Sequence, residues 1–289
     1  MAIGDGLARL AGYPFEVRYS SGTLARAAVA ADLAASAYAY FSRLFSGVAP
    51  DIALIVADET DWLSRQPYGL AFFNDDADQI RPGILVMPAG RGELWAAMAR
   101  DIREAAPDRY AELAAAYPDG QGGVDLQPFF DLITIHGLGH AFETLGDLRL
   151  PTSWLSEIFV NLAMHAFVAT HQPASLSTLE TLPTIGAESR ELGAQMRADG
   201  YSTLEELEEH YTGGDDPMSP LNYVWFQYRW QRLAAEIVEL DGEQSLVRFW
   251  DCFHARDRVQ PADTAAASLA PLLTNEVSHT LGRAISDWR

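Results

Sequence analysis

Ile52-Ala53-Leu54-Ile55-Val56-Ala57 is an unbroken apolar run, closed by Asp51 before it and Asp58 after it. It is strand-length and rich in β-branched residues, so it reads as a buried strand. Phe15–Tyr19, Gly69–Phe73 and Ile84–Met87 read the same way, as period-two or short apolar runs bounded by Gly, Pro or Asp. A long alanine-rich helix, about Thr23 to Phe45 with Thr23 as its cap, separates the first strand from the second. After residue 90 the pattern turns helical: about 91–105, 108–116, 126–146, 153–171, 187–198, 203–210, 219–241, 243–253, and 262–286 with a break at Pro271. Ser202 with Glu205 three residues on predicts a capping box for the 203–210 helix. The fold class expected is α+β, a small N-terminal mixed sheet with a long helix followed by a mainly helical body. Residues 1–120 form the expected N-terminal α/β part and 121–289 the helical part.

Composition narrows the function classes. The 289 residues are 48% hydrophobic and 21% charged, a globular balance that excludes a disordered chain. No apolar run approaches the ~18 residues of a membrane span. Met1 to Gly12 lacks the basic-then-apolar layout of a secretory signal, so a cytoplasmic location is expected. Cys252 is the one cysteine, which excludes an intramolecular disulfide and reads as a buried structural residue. Forty acidic residues oppose twenty basic ones, all arginine, for a net charge of −20. A surface so acidic repels phosphate backbones and anionic lipid, so neither nucleic acid nor membrane is an expected partner. There is no phosphate-binding glycine loop with its lysine, and no G-x-S-x-G elbow. The run Glu205-Glu206-Leu207-Glu208-Glu209 reads as a solvated helix face.

One stretch carries chemistry: Ile133-Thr134-Ile135-His136-Gly137-Leu138-Gly139-His140-Ala141-Phe142-Glu143. Asp125 and Pro128 suit a helix start, and on that helix His136 and His140 lie one turn apart on one face. Two imidazoles so spaced can grip one tetrahedral metal ion, and a third ligand should lie nearby. Glu157, expected in the first turn of the next helix after Leu150-Pro151-Thr152-Ser153-Trp154-Leu155-Ser156, would complete a His, His, Glu set with one position left open. Asn161 and His165 continue the same face and could orient the ligands from behind.

These motifs resemble the gluzincin metallopeptidases, with thermolysin-like and aminopeptidase-like members. Their hallmark is H-E-x-x-H on one helix and a ligand glutamate on the next, often within P-x-W-L-x-E. Pro151, Trp154, Leu155 and Glu157 stand in a similar arrangement, with one extra residue between proline and tryptophan. The resemblance covers residues 15–255, with specific motifs only at 136–157. It implies a zincin-like fold, one Zn2+ held by His136, His140 and Glu157, a substrate-binding edge strand at Gly69–Phe73 or Ile84–Met87, and an oxyanion-stabilising tyrosine among Tyr211, Tyr223 and Tyr228.

The departure is Gly137, which occupies the position of the family's catalytic glutamate. General acid–base catalysis supplies about 10²–10⁴-fold, and glycine supplies none of it. Two glycines inside one helix also cost about 1 kcal/mol each relative to alanine, so close packing of another element is expected there. Glu143 falls within about 20° of the His136 face and is the alternative base, although it sits a turn or two from the expected water. The expected function is therefore a zinc-binding gluzincin homologue with lost or strongly reduced peptidase activity that retains a cleft for a peptide or protein segment. The rivals are an active zinc hydrolase whose base comes from another residue or from the substrate, and a metal-free structural or interaction protein.

Overall fold

The computed structural model describes residues 6–62, 68, 71–74, 83–197, 200–211, 218–254 and 265–288. It is α+β, with a five-stranded mixed sheet near the N-terminus and a helical remainder. Parts of the strand expected at Gly69–Phe73 and of the helices expected at 187–198 and 262–286 (residues 69–70, 198 and 262–264) lie outside the described residues. Contacts divide the chain into two compact units: Met1–Asp101 with Tyr117–Asp147, and Ile102–Ala116 with Leu148–Arg289. The division therefore does not fall at residue 120. The helix bearing His136 and His140 belongs with the sheet, and residues 102–116 belong with the helical unit.

In the first unit, β1 (Ala8–Leu10), β2 (Glu16–Tyr19), β3 (Ile52–Ala57), β5 (Gly83–Pro88) and β4 (Phe72–Asn74) lie in that order across the sheet. The two outer pairings are antiparallel and the inner ones, β2 with β3 and β3 with β5, are parallel. All six residues of β3 are buried, as a strand inside a parallel pair requires. β5 is internal, so the edge expected at Ile84–Met87 is not an edge; the Gly69–Phe73 expectation meets β4, which is.

Helix α1 (Leu24–Leu44) links β2 to β3 and packs a face of small residues, Ala27, Ala30, Ala31, Ala34 and Ala37, into the interior. Thr23 holds its N-cap position, yet its hydroxyl donates to the Ser20 carbonyl (2.8 Å) and accepts no cap bond. Helix α4 (Gln127–Leu145) packs against α1, β4 and β5. Its start matches the expectation: Pro128 lies in the first turn and the Asp125 carboxylate accepts the Gln127 N–H at 3.1 Å. Phe142 stands edge-on to Tyr38, Phe41 and Phe45 of the α1 end (5.3–5.9 Å between ring centroids), and Arg26 of α1 pairs with Asp131 of α4. The metal-motif helix is thus fixed along its length by the sheet and α1. Between these, α2 (Glu93–Ala105) runs from the first unit into the second.

The second unit contains α3 (Pro107–Ala116), α5 (Ser153–His171), α6 (Leu176–Glu188), α7 (Arg190–Met196), α8 (Leu204–Tyr211), α9 (Pro220–Asp241), α10 (Gln244–His254), α11 (Ala266–Leu272) and α12 (His279–Ser286). Helix α5 is its axis: from Ile158 to Val168 every residue is buried, and it packs on α9, which also carries α6. Pro271 lies inside α11 and does not break it; a π-helical turn follows at Leu273–Val277, and the break falls at Ser278, which caps α12. The capping box of α8 is Thr203 with Glu206, one residue later than Ser202 with Glu205. Glu206 accepts the N–H groups of Ser202 (2.8 Å) and Thr203 (2.9 Å), and the Thr203 hydroxyl accepts that of Glu206 (3.2 Å). Cys252 is buried, as expected. No helix of the described residues is long and apolar enough to cross a membrane.

Candidate functional site

Each histidine of the motif is placed by the local sequence. On α4, His136 and His140 stand one turn apart with rings edge-on, 5.0 Å between centroids. The Glu143 carboxylate lies 3.1 Å from His140 Nδ1, the i,i+3 neighbour on the same face. Glu143 therefore helps to hold the orientation of the His140 ring.

Gly137 sits where α4 presses on β5. A Cβ built on it would stand 2.6 Å from the Leu85 Cδ1 atom, and Leu85 is itself fully buried. The close packing expected from the glycines is present at Gly137, and its partner is a side chain of the sheet.

In the second unit, α5 starts at Thr152, whose hydroxyl accepts the Leu155 N–H (3.3 Å). Glu208 of α8 adds a second cap, accepting from the backbone N–H groups of Ser153 (2.8 Å) and Trp154 (3.4 Å). The acidic run is thus not merely a solvated face: Glu206 and Glu208 cap two helices, and Glu205 accepts the Ala266 N–H (3.1 Å). Glu157 is the fifth residue of α5, in its second turn and not the first.

Glu157 is 1% exposed. Its Oε1 accepts the hydroxyls of Tyr211 and Tyr223, each at 2.9 Å, and its Oε2 accepts the Gln227 amide at 2.6 Å. Asn161 stands behind: its Nδ2 donates to the Glu157 carbonyl (2.8 Å) and to Gln227 Oε1 (2.9 Å), which fixes both amide orientations. A buried carboxylate needs such donors, since stripping water from it without them is prohibitive. Burial, then the Glu157 charge, pushes the Tyr223 hydroxyl well above its ordinary range, so it stays a proton donor.

Of the three tyrosines implied for an oxyanion role, Tyr211 and Tyr223 have their hydroxyl protons on Glu157. Tyr228 is elsewhere: it is buried with its ring on Gly186 of α6, where an added Cβ would meet the ring at 2.0 Å. His165 does not reach the Glu157 carboxylate. Its Nε2 lies 3.5 Å from Glu180. The α9 residue Gln227 escaped the sequence reading, although an amide within Tyr223-Val224-Trp225-Phe226-Gln227-Tyr228 is itself a signal that a buried polar group needs it.

His165 carries a pH prediction. Burial lowers its pKa from 6.5 to about 4. The unfolded chain then binds one more proton than the folded one between about pH 6.5 and 4. Stability should fall as the pH drops through that window, by up to about 3 kcal/mol, and be level above it. Urea midpoints at pH 4.5 and 7 should differ less for His165→Phe than for wild type; equal differences would refute the assignment.

His136 and His140 of the sheet-bearing unit and Glu157 of the helical unit are residues that could hold a metal ion, each offering one ligand atom. Two imidazole nitrogens and a carboxylate oxygen suit zinc. Comparisons with protein-family models, curated proteins and solved structures return no match to this chain.

Proposed function

We propose that this chain is a gluzincin-like zinc-binding protein, holding one Zn2+ through His136, His140 and Glu157, which has lost or nearly lost peptidase activity and serves to bind a peptide or protein segment. The observation that carries the reading is the donor set itself, two histidines one turn apart on α4 and one buried carboxylate on α5. Bound zinc would supply a Lewis acid and an acidic water. The chain's own groups hold and orient: Glu143 on His140, and Tyr211, Tyr223 and Gln227 on Glu157. Gly137 offers no carboxylate to take a proton from that water, and Glu143 is engaged with His140.

The test is metal content by mass spectrometry on untagged protein, beside His136→Ala. About one zinc per chain is expected in the wild type, with loss of most of it in the variant, since one ligand of three is removed. No zinc in either after incubation with excess metal would overturn the reading and favour a metal-free interaction protein. Chelator-sensitive peptide turnover by the zinc-loaded wild type would overturn the loss of activity and favour a working hydrolase.

A further inference from the structure

The helical unit contains a cavity of about 960 Å³ framed by α5, α6, α9 and α12. It is a groove open to solvent, since Glu188, Arg232, Glu236 and Glu239 on its walls are exposed. Helix α6 turns one face to it, Leu176, Leu179, Pro183 and Ala187, at spacings of three and four. Helix α9 adds Ala235 and Val238. Leu179 and Pro183 are buried, whereas Leu176, Ala187, Ala235 and Val238 keep part of their surface in water. From Leu176 to Glu188 the lining runs about 18 Å along α6, a little over three helical turns.

The rim is acidic. Glu180, Glu188, Glu236, Glu239 and Asp287 line the groove, against the guanidiniums of Arg229 and Arg232. Arg232 is bound to Glu188 (3.2 Å) and Arg283 to Glu236 (2.8 Å), while Arg229 lies over the rings of Trp225 and Trp288 (4.8 and 3.9 Å to the centroids). Glu239 and Asp287 pair with no arginine among the described residues. Glu180 faces the His165 ring (3.5 Å), which is uncharged at neutral pH. Burial raises the Glu180 carboxyl above its ordinary range, and the Glu239 charge, on the other helix, adds to this against the pull of Arg232. Carboxylates gathered so, with their positive charge still to come, complement a cationic partner.

The walls also select the partner's conformation. Apart from Asp287 and Trp288, every lining residue lies in a helix, whose backbone groups are bonded within it. An extended peptide laid in the groove would find no row of N–H and C=O groups to pair with. A helix satisfies its own backbone and needs only side-chain contact, with anchors repeating at three and four residues.

We propose that this groove docks a cationic amphipathic helix of a partner protein. The apolar stripe of that helix lies on Leu176, Ala187, Ala235 and Val238, and its lysine or arginine side chains reach Glu180, Glu239 and Asp287. The inference rests on the helical unit alone and needs no metal at the histidines.

The probe is a terminally blocked peptide of about 14 leucine and lysine residues with its leucines at helical spacing. It is titrated calorimetrically into chelator-treated full-length protein. A scrambled peptide of the same composition and a leucine–glutamate peptide of the same period are the controls. Saturable binding of one helical peptide per chain is expected, about tenfold or more tighter than the scramble, with none of the glutamate peptide. Glu180→Gln with Glu239→Gln keeps the shape, removes two charges at positions in contact with water, and should weaken binding about tenfold. Val238→Arg puts bulk and like charge on the apolar floor and should weaken it as much. Glu93→Gln with Asp101→Asn removes two charges at exposed positions on α2 and should bind as wild type does, which separates docking from general attraction to an acidic chain. Absence of saturable binding, equal binding of the scramble, wild-type affinity in the Glu180 and Glu239 variant, or the same loss in the α2 variant would overturn the proposal.

Discussion

Glu157→Leu should lower the stability of the helical unit by about 4 kcal/mol and remove bound zinc. The side chain is 1% exposed and accepts three hydrogen bonds, from Tyr211, Tyr223 and Gln227. Hydrogen bonds to a charged group contribute about 1.5–3 kcal/mol each, and the donors left behind in a dry interior add their own cost. Leucine restores apolar contact of similar volume, which offsets part of this and sets the net figure near 4 rather than higher. Glu157→Gln should cost less, because an amide oxygen still accepts two of the three donors, but it should also lose zinc. Urea unfolding followed by tryptophan fluorescence reads the difference, since Trp154, Trp225, Trp230, Trp250 and Trp288 all belong to this unit. A Glu157→Leu protein as stable as wild type would mean that the buried carboxylate costs as much as its partners return, as some buried ion pairs do.

Gly137→Glu should destabilise the sheet-bearing unit by a similar amount, about 4 kcal/mol. A Cβ at this position stands 2.6 Å from Leu85 Cδ1, inside contact distance, and Leu85 has no exposed side to retreat to. Overpacking costs about 1–3 kcal/mol, and a carboxylate forced toward apolar neighbours adds a desolvation cost. The gain in helix propensity, about 1 kcal/mol, does not cover this. Cutting the partner back tests the cause: in a Leu85→Ala background, the same Gly137→Glu change should be cheaper by about 1–2 kcal/mol, the signature of two residues in direct contact. Equal costs in both backgrounds would locate the strain elsewhere. The result bears on the proposed loss of activity. Placing a glutamate beside His136 needs room in the sheet as well as a codon change, so the double variant is the one in which to look for peptide turnover.

Sequence reasoning reached the parts of the fold that local chemistry decides. Ile52–Ala57 matches β3 at both ends because a run of buried apolar residues flanked by aspartates has one natural reading. Ser153–His171 matches α5 because an apolar helix bounded by Thr152 carries its own start signal. Helix α6 was not legible. Its segment, Leu176 to Glu188, is rich in Ser and Thr and carries Pro183, all local signs of a loop, yet Leu179, Leu182 and Ile185 are buried and the segment packs on α9. Tertiary burial there overrides propensity. The three-residue β1 is too short to show a period. At the site, spacing along the helix picked out His136 and His140, which stand one turn apart on α4, and the start of the next helix picked out Glu157, which is buried. The shell around Glu157 was only half visible, since Tyr211, Tyr223 and Gln227 converge from residues 54 to 70 positions away, and no local pattern distinguishes Tyr223, whose hydroxyl donates to the carboxylate, from Tyr228, whose ring lies on Gly186.

The chain passes between its two units more than once, and this has a bearing on synthesis. Residues 102–116 belong with the helical unit although the sheet-bearing unit is not complete until Asp147. Helix α3, within that segment, buries Leu113 and packs against α6, whose residues 176–188 are translated some sixty positions later. During elongation at about 5–20 residues per second, α3 therefore emerges several seconds before its partner exists. In that interval the nascent chain can close the sheet around α4, but must carry α3 as an amphipathic segment in waiting. The order of translation makes the sheet-bearing unit the first that can mature, and makes α3 the stretch most in need of shelter on the way.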